Sequence, residues 1–281
     1  MTYSDHHLTV DGIRAHYIQG GRGHPLLLIH GSGPGASTVG NWRRVLDPLA
    51  EHFHVYAMDL IGFGSSGRKP QPPYFDLELW LRQCRALIAQ MPGPQIGVVG
   101  HSLSASLALK LAATEPRIAQ VLTTGAMGAQ FDVNDSTVRV WTFPATRDEL
   151  RRTAEVLLYD KSLIDDAYLD ARVAILYKDP GYGPYFASMF SGDRQAFADQ
   201  AVLYAGDLTR ISCKVAMLHG RDDVAFPPAI TLDIARYLPQ ADVTLIGRCS
   251  HSIAMEYPEK LLSAARSLFP DESSASRKGP S

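Results

Sequence analysis

The chain of 281 residues has few cysteines and no excess charge of either sign. Its three cysteines, Cys84, Cys213 and Cys249, cannot all pair and show no CxxC spacing. A disulfide scaffold and a cysteine zinc site are therefore not expected, and a reducing, cytoplasmic setting fits best. His6-His7 and Cys249-x-His251 lack further ligands at metal-binding spacing, so neither a metal nor a cofactor is expected. Lys and Arg total 27 against 29 Asp and Glu, giving a net charge of −2 and no footprint for nucleic acid or an anionic membrane. Long apolar runs are also missing, so no bilayer span is expected. The start, MTYSDHHLTV, lacks the basic-then-apolar order of a signal peptide. The 46% hydrophobic content excludes disorder as the main state, and the length suffices for a large core.

What is present is an alternation of strands and helices. Residues 7–10 and 13–19 read as strands around Asp11-Gly12, a hairpin turn signal. Short apolar runs follow at residues 25–30 (PLLLIH), 54–59 (HVYAMD), 95–100 (QIGVVG), 121–124, 214–219 (KVAMLH) and 242–246 (DVTLI). Amphipathic helices fall between several of them, as at 76–90 and 103–113. The pattern predicts an α/β fold: a mostly parallel twisted sheet with helices on both faces and an antiparallel edge from the opening hairpin.

The alternation breaks between about Gln130 and Asp207, which reads as consecutive helices. Thr146 and Glu149 have capping-box spacing, and further helices are expected at 165–177 and 193–204. Twelve of the 25 aromatic residues fall here. Most of these rings are expected to pack the insertion onto the sheet; the stretch as a whole suggests a cap over a pocket. The expected division is a core of residues 1–129 and 208–270, a helical cap of 130–207, and a disordered tail of 271–281.

The sharpest local signal is Gly100-His101-Ser102-Leu103-Ser104, set between an apolar strand and a helical stretch. It approximates the G-x-S-x-G nucleophile elbow, with Ser104 in place of the last glycine. Small residues are needed two before and two after the serine, because the turn brings strand and helix close together. A serine nucleophile requires a base, and the expected chain order is Ser, acid, His. Only His219 and His251 follow the elbow; His219 ends an apolar strand, whereas His251 lies in the loop GRCSHS. For the acid, Asp223 is third after Gly220 and fits the G-x-x-D register; Asp222 is the fallback. The loop His30-Gly31-Ser32-Gly33-Pro34-Gly35-Ala36 follows an early strand, so Ser32 and Gly33 can present amides to a developing oxyanion, together with the Leu103 amide.

Two glycine patterns compete. Gly62-x-Gly64-x-x-Gly67 fits a dinucleotide fingerprint but runs into RKPQPPYF, whose prolines forbid the required helix. Gly31-x-Gly33-x-x-Ala36 is followed by Asp59 at a strand end, which keeps a weak dinucleotide reading alive.

With these motifs in place, the chain resembles the α/β-hydrolase family from His7 to Phe269, including the segment Asp59-Leu60-Ile61-Gly62-Phe63-Gly64-Ser65-Ser66. Within that family it is most similar to the meta-cleavage product hydrolases, which split carbon–carbon bonds in 2-hydroxy-6-oxo-dienoates formed by ring fission of aromatic compounds. The resemblance rests on residues 30–36, on Gly40-Asn41-Trp42-Arg43, on Tyr159-Asp160-Lys161-Ser162-Leu163-Ile164 with Arg172 after it, and on Gly220-Arg221-Asp222-Asp223 before Pro227. It implies that the dienoate is ketonised and then attacked at its distal carbonyl. It further implies that Arg172 holds the carboxylate end, helped by Asn41. Arg172 also has a physical argument, since a guanidinium fork on a cap helix suits a carboxylate. Taken alone, it is equally well a surface arginine pairing with Asp165 or Asp170. The aromatic cap and Phe226 suggest an apolar distal group. The chain departs from the group at His101 (usually asparagine), Ser104-Ala105 (Gly-Gly), Val173 and Ser252 (both commonly tryptophan). A carboxylesterase or amide hydrolase of the same fold is therefore the alternative, and a non-catalytic ligand receptor comes third. The expected partner is a small, carboxylate-bearing molecule, with no nucleic acid and no membrane; a homodimer is left open.

Overall fold

A computed structural model describes residues 3–270. The tail expected to be disordered, 271–281, lies outside the described residues. Eight strands form one sheet: β1 (Ser4–Val10), β2 (Ile13–Gly20), β3 (His24–Ile29), β4 (Phe53–Met58), β5 (Ile96–His101), β6 (Ile118–Thr124), β7 (Lys214–Gly220) and β8 (Ala241–Ile246). Their spatial order is β1-β2-β4-β3-β5-β6-β7-β8. β1 and β2 pair antiparallel through a turn in which Asp11 and Gly12 both take positive φ, and β2 meets β4 antiparallel. Every other pairing is parallel.

The helices are α1 (Thr38–Trp42), α2 (Leu46–Ala50), α3 (Leu77–Ile88), α4 (Leu103–Ala112), α5 (Asp135–Val140), α6 (Arg147–Leu157), α7 (Asp166–Leu176), α8 (Tyr182–Met189), α9 (Arg194–Gln200), α10 (Ala205–Leu208), α11 (Ala229–Ala235), α12 (Ile253–Glu256) and α13 (Pro258–Leu268). All of β3 and β5 is buried, as strands covered on both faces must be. The pleat sends Leu26 and Leu28 into one apolar cluster with α2 and α13. Leu27 and Ile29 go into the larger cluster on the other face, with α3, α4 and the helices that follow β6. No described helix is long and apolar enough to cross a membrane.

The helices α5–α10 all lie between β6 and β7, in the stretch read as an insertion. Thr146 caps α6 by accepting the Glu149 amide, but the Glu149 carboxylate accepts from the Ala145 amide instead of closing the box. A complete capping box stands one helix earlier, at Asn134 and Thr137. The helix expected at 165–177 is α7 with its caps Asp165 and Tyr177. The one expected at 193–204 stops at Gln200, because the chain turns to give the Leu203 amide to Gly128 O. Most aromatic rings here pack the insertion down: Phe186 and Phe190 are fully buried, and their rings meet Phe63 and Phe75 of the core.

Candidate active site

Ser102 occupies the single position between β5 and α4, at φ 59° and ψ −124°. Such a backbone is costly for a residue with a side chain and persists only where its surroundings hold it. Here they do: the Ser102 amide donates to Thr124 O (2.9 Å), and its carbonyl accepts from Ala105 N (3.0 Å) and Met127 N (3.1 Å). A Cβ at Gly100 would stand 2.4 Å from Ser104 O, which explains the glycine two residues before Ser102. Two residues after it, Ser104 is tolerated because its buried hydroxyl donates to His30 O, tying the elbow to the end of β3.

The candidate base and acid, His251 and Asp223, sit in the loops that follow β8 and β7. His251 Nδ1–H donates to Asp223 Oδ2 (2.7 Å), and both side chains are buried. Asp223 Oδ1 accepts the amides of Ala225 (3.1 Å) and Phe226 (2.9 Å). Burial alone would raise the Asp223 pKa, but the His251 ring, its hydrogen bond and the nearby His219 hold it well below the usual carboxylate range. Asp222 turns the other way and accepts the Arg248 amide (2.7 Å). His219 is not the base: fully buried, it donates from Nε2 to Phe226 O (2.9 Å), 3.5 Å from Asp223 Oδ2, and contacts the Thr231 hydroxyl through Nδ1.

Ser102, His251, Ser32, Gly33, Asn41 and Arg172 line one pocket, with His101, Ser252, Arg43, Arg44, Val140, Leu150, Ala154 and Leu157. The amides of Ser32 and Gly33 have no partner among the described residues, and the Leu103 amide, first in α4, is likewise free of one. Residues from the helices after β6 brace this loop. Trp141 Nε1–H donates to the Ser32 hydroxyl (3.1 Å), and the Gly35 amide donates to the Tyr182 hydroxyl (3.0 Å). Arg172 faces the pocket instead of the surface acids that competed for it: it donates to Pro34 O (2.6 Å), Asp165 caps α7, and Asp170 pairs with Arg147.

Two expectations change. Phe226 does not line the pocket; it is fully buried behind the base, its ring 4.6 Å from that of His251, because its amide and carbonyl are held by Asp223 and His219. Asp59 is committed inside the protein, to the amides of Thr38 (2.7 Å) and Ser65 (2.8 Å) and to His16 Nδ1 (2.9 Å), so the dinucleotide reading has no acid for a ribose. Among the departures, Val173 and Ser104 lie off the pocket lining, whereas His101 and Ser252 are part of it. The His101 ring stands 4.8 Å from the His251 ring, and its Nδ1–H points to Thr124 O (3.1 Å). Burial, then the nearby His251, push its pKa down to about 3, so it stays neutral.

Glu256 went unnoticed in the sequence. One of its oxygens accepts the amides of Tyr159 (2.7 Å) and Asp160 (3.1 Å), and the other accepts that of Ser250 (2.8 Å). Ser250 Oγ–H also donates to Val156 O and the Ser252 amide to Leu157 O, so the residues flanking His251 are stitched to the end of α6. Partners that are backbone amides leave no side-chain pattern to read.

Residues 26–265 match the family described as the alpha/beta hydrolase family. The chain is 30% identical to the 2-hydroxy-6-oxo-2,4-heptadienoate hydrolase of Pseudomonas putida F1, over 87% of this chain and 88% of that one. It is 29% identical to the 2-hydroxymuconate semialdehyde hydrolase of Pseudomonas sp. CF600, over 90% and 89%. Among solved structures, a mutant of the meta-cleavage product hydrolase from Pseudomonas fluorescens IP01, complexed with acetates, superposes with a TM-score of 0.88 at 26% identity, covering 94% of this chain and 97% of that one. With a serine elbow after β5, a buried aspartate in the loop after β7 and a histidine in the loop after β8 of such a sheet, the chain belongs to the alpha/beta hydrolase family.

Proposed function

We propose that the protein hydrolyses a carbon–carbon bond in a 2-hydroxy-6-oxo-dienoate, with Ser102 as nucleophile, His251 as general base and then acid, and Asp223 as the group that orients the imidazole. The Asp223–His251 bond with Ser102 on its strained turn is the observation that carries the reading. In this mechanism the substrate carboxylate lies toward Arg172 and Asn41, and its distal carbonyl beside Ser102. After ketonisation, Ser102 Oγ adds to the carbonyl carbon as its proton passes to His251 Nε2. The amides of Ser32, Gly33 and Leu103 receive the oxyanion. The carbon–carbon bond then breaks, the dienol fragment takes the proton, and water attacking the acyl-serine releases a carboxylic acid.

Val140, Leu150, Ala154 and Leu157 give the other end of the pocket an apolar lining, in keeping with an apolar distal group. These residues come from α5 and α6, which supports dividing the chain into a core of 1–129 and 208–270 and a cap of 130–207. The test sets a dienoate beside an uncharged p-nitrophenyl ester, on the wild type and Arg172→Ala. Losing a charge-assisted pair to a carboxylate costs on the order of 1.5–3 kcal/mol, so KM for the dienoate should rise about 10- to 100-fold while ester hydrolysis changes little. Good ester turnover with no dienoate cleavage and no effect of Arg172→Ala would install a carboxylesterase instead.

A further inference from the structure

The pocket lining holds three arginines, Arg43, Arg44 and Arg172, and no aspartate or glutamate, in a chain whose net charge is −2. Arg172 lies inside, partly covered, against the loop that carries Ser32 and Gly33. Arg43 and Arg44 are exposed and follow α1 at the outer edge of the same pocket. Their guanidinium groups are held without being neutralised. Arg43 sits 5.6 Å over the Tyr168 ring and reaches Met255 Sδ (3.6 Å), and Arg44 donates to Met255 O. No carboxylate of the described residues lies within ion-pair distance of either, whereas Arg82 and Arg147 are paired with aspartates. Tyr168 and Arg172 are four residues apart on α7 and so share a face, separated by about 6 Å along the helix. The charges therefore form a short series from solvent inward, from Arg44 and Arg43 to Arg172.

We propose that Arg43 and Arg44 form an anion-capturing mouth that draws the substrate carboxylate from solvent and delivers it to Arg172. The proposal rests on the carboxylate-bearing substrate proposed above. Its physical basis is that unpaired charges of one sign at a low-dielectric opening raise the local concentration of counter-charged ligand, an effect that salt screens. It makes these two residues determinants of specificity for anionic over neutral ligands.

Equilibrium binding tests this independently of turnover. The probes are hexa-2,4-dienoate and its neutral amide, titrated calorimetrically at low and high sodium chloride into the wild type and the Arg43→Gln/Arg44→Gln and Arg43→Lys/Arg44→Lys proteins. Expected for the wild type is acid binding that weakens several-fold with salt while amide binding does not. In the Gln pair, acid binding at low salt should be about 3- to 10-fold weaker and its salt dependence flattened. The Lys pair should restore both, because charge and not packing is the agent. Equal acid binding in wild type and Gln pair, a Lys pair as weak as the Gln pair, or a wild type that does not prefer the acid would overturn the proposal. A charge-dependent preference in a protein that leaves 2-hydroxy-6-oxo-dienoates intact would uphold the mouth and remove the carbon–carbon reading.

Discussion

The two oxygens of Asp223 have separate duties. Oδ1 takes two backbone amides, which fixes the carboxylate, and Oδ2 faces His251. An asparagine can keep the first duty but turns an NH2 toward the Nδ1–H of His251, favouring the wrong tautomer for a base at Nε2. Asp223→Asn should therefore fold and lose about 10³- to 10⁴-fold in kcat, whereas Asp222→Asn, whose side chain meets the Arg248 amide and Arg221 Nε, should stay within a few-fold. Steady-state kinetics of both variants check this; comparable losses would mean that Asp223 is not the orienting acid. That Ser102, Asp223 and His251 would come together was legible because each follows a strand, in the order serine, acid, histidine. Arg172 could not be settled by spacing, since Asp165 and Asp170 stand near it in sequence and only the fold shows them engaged with the Tyr168 amide and Arg147. Phe226 was misread for a related reason: nearness to the acid in sequence does not say which side of His251 a ring will face.

Among the elements, the segment between β6 and β7 reaches the loops of Ser32, Asp223 and His251. Trp141, Arg172 and Tyr182 hold the loop of Ser32, Thr137 holds Ala225 O beside the acid, and the end of α6 holds the residues around His251. Glu256 is the tightest of these junctions, because one carboxylate serves three amides from two segments. Glu256→Ala strands those donors and should destabilise the protein by about 1–3 kcal/mol, measurable as a lower urea midpoint, with faster proteolysis around Tyr159. An unchanged midpoint would show that water replaces the carboxylate without loss. Helices α6 and α7 were readable because Thr146 and Asp165 announce their starts. By contrast, α8 was missed, since Gly183 and Pro184 look like breakers but fall in its first turn, where no intrahelical donor is lost.

For the molecule as a whole, stability is tied to pH through a cluster outside the triad. His16 on β2 bonds Asp59 through Nδ1 and Asp5 through Nε2, and Asp59 also holds the start of α1 through the Thr38 amide. The bond to Asp59 is the main cause of a raised His16 pKa, outweighing burial, and it lowers that of Asp59 against its burial. A raised histidine stabilises fully below its unfolded value, about 6.5, and loses that contribution as pH rises through the folded value. The Asp59 contribution is present above the ordinary carboxylate range and is lost as pH falls through its lowered folded value. His16→Gln should therefore be less stable than the wild type at pH 6, with the difference shrinking toward pH 9 in urea titrations. A difference independent of pH would show that His16 acts through packing alone. The mostly parallel sheet needed no such detail: alternation of apolar runs and helices, with one hairpin, was enough to indicate it and its antiparallel edge, though not the order of its strands.

Carbon–carbon cleavage through Ser102 is read from the loss of colour of a yellow 2-hydroxy-6-oxo-dienoate, with products quantified by chromatography, for the wild type and Ser102→Ala. The wild type should bleach the dienoate and release equimolar hydroxydienoate and carboxylic acid. Ser102→Ala should slow hydrolysis by at least about 10³-fold with the fold unchanged. Intact dienoate after incubation with the wild type, or a Ser102→Ala protein that releases both products at the wild-type rate, would overturn the assignment.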